Sequence, residues 1–167
     1  MKKSAIIIAS VVLLDQLAKG ILLYLITGGV PAAGAFWRLV PHPYLMARVT
    51  DFFNIVFTWN PGTSFSLFRG LGESAPMAIV VLTGIVIGFF GYMLFFRTRE
   101  PLEKWALALI VGGALGNLID RIRFGAVIDF LDFYWKTAHW PAFNIADICI
   151  TVGVGLYVLH WLIHRKK

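Results

Sequence analysis

Four apolar runs, at about residues 5–26, 76–96, 105–120 and 144–163, constrain this chain more than any other feature. Each is close to the roughly 20 residues that a helix rising 1.5 Å per residue needs to cross a bilayer. Only 14% of the 167 residues are charged and 59% are hydrophobic, whereas a soluble domain carries about 25% charged residues. A spanning segment must satisfy its backbone internally, and helices do so within themselves. The expected fold class is therefore an all-α polytopic membrane protein, a four-transmembrane-helix bundle in a single domain over residues 1–167. Lys2 and Lys3 before the first run imitate a secretory leader. Apolar character resumes at Gly20 without a convincing small-residue cleavage site, so this run is read as a retained span. Pro76 suits a first helical turn, and the Arg97–Glu100 stretch stops the second span.

Four crossings put both termini on one side. Lys2, Lys3, Arg97, Arg99, Lys104, Arg165, Lys166 and Lys167 lie there, all close to span ends. Arg38, Arg48, Arg69, Arg121, Arg123 and Lys136 are spread over two longer stretches on the other side. The positive-inside rule then expects both termini in the cytoplasm. The net charge of +6 is read as topology and attraction to anionic headgroups, not as a nucleic-acid surface, because the longest basic run is the terminal Arg165–Lys167. The single cysteine, Cys149, excludes an intramolecular disulfide and reads as a small packing residue.

Between the first two spans the sequence has content of its own. From Thr27 to Arg48 it is rich in glycine, proline and aromatic residues, as in a loop resting on the membrane interface. From Asp51 it alternates, with Phe53, Ile55, Phe57 and Trp59 on one face and Asn54, Val56, Thr58 and Asn60 on the other. Asn60, Pro61 and Gly62 supply a turn, and Thr63–Phe68 is expected to return as a second strand. The expectation is a small extracytoplasmic hairpin over about 51–68.

Charges at membrane depth cost roughly 2.5–3.5 kcal/mol each even on insertion scales, so they mark candidate sites. Asp15 and Lys19 stand at i and i+4 on the first span, where they can pair. Gly113, Asn117, Asp120 and Arg121 form one stripe of the third span. Gly112, Gly113 and Gly116 permit close approach of a helix or a substrate. Asp129 follows among Val127, Ile128, Phe130 and Leu131, and Asp147 lies one turn into the fourth span on a face with Asn144 and Thr151. Asp132 reads as a solvated loop charge. The four histidines show no metal-binding spacing paired with glutamate, and one cysteine cannot build a thiolate site. Two carboxyls sharing a low-dielectric pocket hold one proton between them, which suits general acid–base hydrolysis. The same carboxyls suit a proton-coupled membrane carrier, with a metal site or a structural interaction protein as further readings, and the residues alone leave these open.

Four motifs in order narrow that choice. They are Asp15-Gln16 with Lys19; Asn60-Pro61-Gly62 with Phe65; Asn117-Leu118-Ile119-Asp120-Arg121 with Gly125, Val127, Asp129 and Phe130; and Phe143-Asn144-Ile145-Ala146-Asp147. In these the chain resembles the bacterial signal peptidase II family. The resemblance implies an aspartyl endopeptidase of the cytoplasmic membrane with its site near the outer leaflet. Its substrates would be diacylglyceryl-modified prolipoproteins, cut before the lipid-bearing cysteine, with no metal or cofactor. Asp129 and Asp147 match the catalytic positions. Asn60, Gly62, Asn117, Arg121 and Asn144 match positions that line the site or hold substrate, and Asp15, Lys19 and Asp120 match supporting ones. Gly113, from the third-span stripe, and Ala146, inside the last motif, join the candidate site-supporting set. The expected partners are lipidated precursors and membrane phospholipid, and nothing in the chain requires more than a monomer.

Overall fold

The computed structural model describes residues 2–26, 45–62 and 75–164. They fall into two compact units: a helical unit, Met1–Gln16, Val81–Leu118 and Ile145–Lys167, and a sheet unit, Leu17–Val80 and Ile119–Asn144. The helices are α1 (Lys2–Ile26), α2 (Ala75–Tyr92, continued by a π-helical turn Met93–Arg97), α3 (Pro101–Phe124) and α4 (Ile145–His164). The strands are β1 (Leu45–Arg48), β2 (Phe53–Asn60), β3 (Val127–Trp135) and β4 (Ala138–His139). All four helices are long and apolar enough to cross a membrane, and the chain is a multi-pass membrane protein.

Helix ends differ from the sequence expectation for local reasons. Helix α3 begins at Pro101 instead of Trp105, since proline fits the first turn, where its missing N–H is not needed. It runs past Asp120 to Phe124, where Gly125 takes φ 73° and donates its N–H to the Arg121 carbonyl at 2.9 Å. That left-handed closure favours glycine. Helix α2 ends when the Thr98 N–H bonds the Met93 carbonyl at 2.9 Å and Thr98 itself turns extended.

In the helical unit, α3 is the central element. Its apolar window is 61% buried, against 11–17% for the windows of the other three helices. Leu107, Ala108 and Ile110 of α3 form a core with Leu94, and Ile7, Ile8, Phe90, Met93 and Tyr157 pack onto it. Leu13, Leu14, Ile85, Phe89, Val152 and Leu159 point outward and stay exposed. Such a continuous apolar exterior requires lipid as its solvent.

The sheet unit holds an antiparallel sheet in the order β1-β2-β3-β4. Ile55 pairs Leu131 and Thr58 pairs Asp129, so Val56 and Phe57 together oppose Phe130 in a bulge. Both bulge residues are buried. An isolated bridge between Leu131 and Phe143 ties β3 to the segment that leads into α4. The predicted strand from Phe53 to Asn60 is present, but its described partners are β1 and β3; the expected return strand Thr63–Phe68 lies outside the described residues. Two expectations need correction. Leu45–Arg48, read as the end of a loop, is an edge strand on β2. Asp132, read as a solvated loop charge, is a buried residue of β3.

Candidate active site

In the sheet unit, the sequence following α3 builds one carboxylate site. Gly125 turns the chain back, and Asp120 in the last turns of α3 accepts the Ile128 N–H at 3.2 Å, pinning the start of β3. Lys19 pairs with the same carboxylate at 2.8 Å, both side chains being almost completely buried. Burial removes water from both groups, so each serves the other as a polar partner. Asp129, one residue beyond Ile128, is 2% exposed. Asn60 donates to its Oδ2 at 2.9 Å, and Asn144 donates to its Oδ1 at 2.7 Å and to the Ile128 carbonyl at 3.2 Å. Each carboxylate oxygen thus receives an amide N–H from a different segment. Two such bonds hold the group's orientation.

Asn60 is itself oriented. Its Oδ1 accepts the Gly62 N–H at 2.9 Å, which leaves its Nδ2 to Asp129. Gly62 has φ 75°, and a Cβ there would come within 2.9 Å of Ile79 and 3.9 Å of Arg121 Nη2. A side chain at residue 62 would meet backbone strain and crowding together. The Asn60 turn, Arg121 and Asp129 are therefore parts of the same unit.

Asp129 lines a cleft of about 400 Å³ with Thr58, Asn60, Asp132, His139 and Trp140. Asp132 and His139 are the residues that sequence reasoning missed there. Asn54 donates to Asp132 Oδ2 at 2.8 Å, and His139 Nδ1 lies 2.9 and 3.0 Å from its two oxygens. Burial pushes the Asp132 carboxyl up, but the bonds from Asn54 and His139, with the histidine's charge, outweigh it and hold the group below the usual carboxylate range. His139 also stacks on Tyr134, with ring centroids 5.1 Å apart. Asp129 and Asp132 stand three residues apart in the otherwise apolar Val-Ile-Asp-Phe-Leu-Asp-Phe run, off the two-residue period of a strand, so spacing gave no sign that both belong to β3.

The helical unit holds the second carboxylate of the expected pair. Asp147 is in the first turn of α4, and Asn117 of α3 donates to its Oδ1 at 2.8 Å. The position of that turn is set by Asp15, which is completely buried. Its Oδ1 accepts the Ala146 N–H at 3.0 Å, so a carboxylate from α1 satisfies a free N–H at the α4 N-terminus, where negative charge is favoured. Gln16 donates to Asp15 Oδ2 and to the Gly116 carbonyl, both at 3.2 Å. Ala146 and Gly113 are contact residues of this arrangement: a Cβ on Gly113 would overlap the Ala146 carbonyl oxygen. Gly113→Ala is therefore expected to push the first turn of α4 off α3, costing about 1–3 kcal/mol as overpacking does. Thermal unfolding in detergent measures it; an unchanged midpoint would show that α4 can shift freely.

The sequence-predicted residues thus form two sets. Asn60, Gly62, Arg121, Asp129 and Asn144 gather in the sheet unit, with Lys19 and Asp120 pinned beside β3. Asp15, Gly113, Asn117, Ala146 and Asp147 gather in the helical unit. Each expected catalytic aspartate is held by at least one asparagine amide.

Comparison with known proteins bears on the family and the fold. The family model described as Signal peptidase (SPase) II matches residues 7–163. A lipoprotein signal peptidase of Aeromonas hydrophila is 41% identical over 133 residues, covering 78% of each chain. One of Syntrophotalea carbinolica is 36% identical over 149 residues, covering 89% of this chain and 84% of its own. Among solved structures, a bacterial membrane enzyme determined by the in meso method at 1.9 Å resolution superposes with a TM-score of 0.74 at 27% identity, covering 97% of this chain and 94% of that one.

Proposed function

The chain belongs to the signal peptidase II family, and on that premise we propose that it removes the signal peptide from diacylglyceryl-modified prolipoproteins as an aspartic endopeptidase. Asp129 and Asp147 form the catalytic pair, and cleavage falls immediately before the lipidated cysteine. The observation that carries this reading is the anchoring of both carboxylates by asparagine amides, Asn60 and Asn144 on Asp129 and Asn117 on Asp147. Asn144, bonded to Asp129, immediately precedes the helix whose first turn carries Asp147. Such anchoring fixes the two groups that must trade protons with water and substrate.

The pair shares one proton. The ionised member takes a proton from water, whose oxygen adds to the carbonyl carbon preceding the cysteine, while the protonated member donates to the carbonyl oxygen. When the tetrahedral intermediate collapses, a proton passes to the cysteine nitrogen and the C–N bond breaks. The products are a signal peptide ending in a carboxylic acid and a lipidated cysteine with a free amine. No covalent enzyme intermediate forms, and no metal or cofactor takes part. Arg121 orients substrate carbonyls beside Gly62, and Asp15, Lys19 and Asp120 hold the segments that carry the catalytic acids.

In this reading the protein sits in the bacterial cytoplasmic membrane as a monomer, both termini in the cytoplasm and the site toward the outer leaflet. The substrate's acyl chains lie along the apolar helix exteriors. Purified protein in detergent is expected to cleave a lipidated precursor peptide without any ion gradient and in excess chelator. Flux that needs a proton gradient, with no peptide product, would instead establish a carrier; loss of activity in chelator with recovery on added zinc would establish a metallopeptidase.

A further inference from the structure

A second cleft, of about 260 Å³, opens in the helical unit where α1 and α3 begin. Three cations line it: Lys3 from α1, Arg99 from the α2–α3 connection and Lys104 from the first turn of α3. Ile7 and Trp105 supply apolar wall, and Ser4 adds a buried hydroxyl. Glu100 and Glu103 are neighbours in sequence but do not line the cleft. Among the described residues, none of the three cations has a carboxylate partner. Three like charges around one concavity give it a positive potential that favours an anion.

We propose that this cleft is a binding site for the phosphate headgroup of an anionic phospholipid. Apolar walls beside cations match a phosphodiester with its attached glycerol and acyl chain, whereas a free phosphate would use only the cations. The cleft lies where two membrane-spanning helices start, the level at which headgroups are found. Trp105, 54% exposed beside it, has the amphipathic ring that favours that level. Neither the cleft nor its residues take part in the proposed proteolysis, so this assignment stands or falls separately.

The test is lipid retention by the full-length protein in detergent, read by native mass spectrometry with phosphatidylglycerol and with phosphatidylcholine. One bound phosphatidylglycerol is expected to survive at detergent levels that strip phosphatidylcholine. At about five-fold per basic residue near an anionic surface, the double variant Lys3→Gln/Arg99→Gln should weaken phosphatidylglycerol binding about twenty- to thirty-fold. The control Lys2→Gln/Arg97→Gln removes the same charge from residues outside the cleft and should change it less than about three-fold. The single variant Arg99→Gln, which disturbs topology least, should lose about five-fold. Equal loss in both double variants, or equal retention of the two lipids, would overturn the site. Inorganic phosphate binding as tightly as the lipid would overturn the lipid assignment.

Discussion

Asp129→Asn and Asp147→Asn are each expected to reduce turnover of a lipidated precursor by about 10³-fold or more. An amide can neither take a proton from water nor donate one as an acid, and loss of general acid–base catalysis costs on the order of 10²–10⁴ in rate. The two variants should differ in stability. Asp147 receives an amide bond from Asn117, which the oxygen of a substituted amide can still accept. Asp129 receives amide N–H groups on both oxygens, from Asn60 and Asn144. An amide at that position opposes one donor to another, costing about 1–3 kcal/mol. Asp147→Asn is therefore the cleaner test, with an unfolding midpoint near that of the parent protein. Rates and midpoints measured on the same preparations separate lost chemistry from lost fold.

The second large effect concerns the buried pair of Lys19 and Asp120. Asp120→Ala removes the carboxylate opposite Lys19 and the acceptor of the Ile128 N–H in one step. Breaking a buried ion pair from one side costs about 3–5 kcal/mol, since the remaining charge is stranded away from water. Asp120→Asn removes the charge and keeps one oxygen that can accept the Ile128 N–H. It should recover roughly the 0.5–1.5 kcal/mol of one hydrogen bond relative to alanine. Thermal unfolding in detergent reads both; equal midpoints for the two variants would show that the bond to Ile128 contributes nothing. Activity should fall with stability here, because Asp120 pins the start of the strand that carries Asp129.

The spans were legible because about 20 consecutive apolar residues admit few other folds, and the interruption by Arg97–Glu100 is chemically plain. The Phe53–Asn60 strand was legible from the alternation of its sequence, although the buried residues, Asn54, Val56 and Phe57, cross from one face to the other at the bulge. Strand β3 was not, because Val127–Phe130 is buried without alternation, opposite a bulge in β2, and reads as apolar tail of the preceding span. Missing that strand made Asp132 look like a loop charge, and with it the Asn54–Asp132–His139 cluster was lost. Edge strand β1 carries too short a signal, four residues, to stand out from a glycine- and proline-rich stretch.

Ion pairing shows the same limit at the level of single residues. Sequence spacing offers Lys19 the i−4 residue Asp15 and says nothing of Asp120, a partner that tertiary structure brings to 2.8 Å. The role of Asp15 is likewise a tertiary property, since it satisfies the N-terminus of a helix 131 residues away in sequence. Motif membership singled out both residues without indicating what they touch.

The claim that Asp129 and Asp147 act as one unit is tested most directly by the rate of the double variant Asp129→Asn/Asp147→Asn beside the two single variants. Groups that serve a single proton-transfer step are grossly non-additive. The double variant is expected to be no slower than either single one, within about threefold, all three lying about 10³-fold or more below the parent enzyme. Losses that multiply, or near-normal turnover in either single variant, would contradict it.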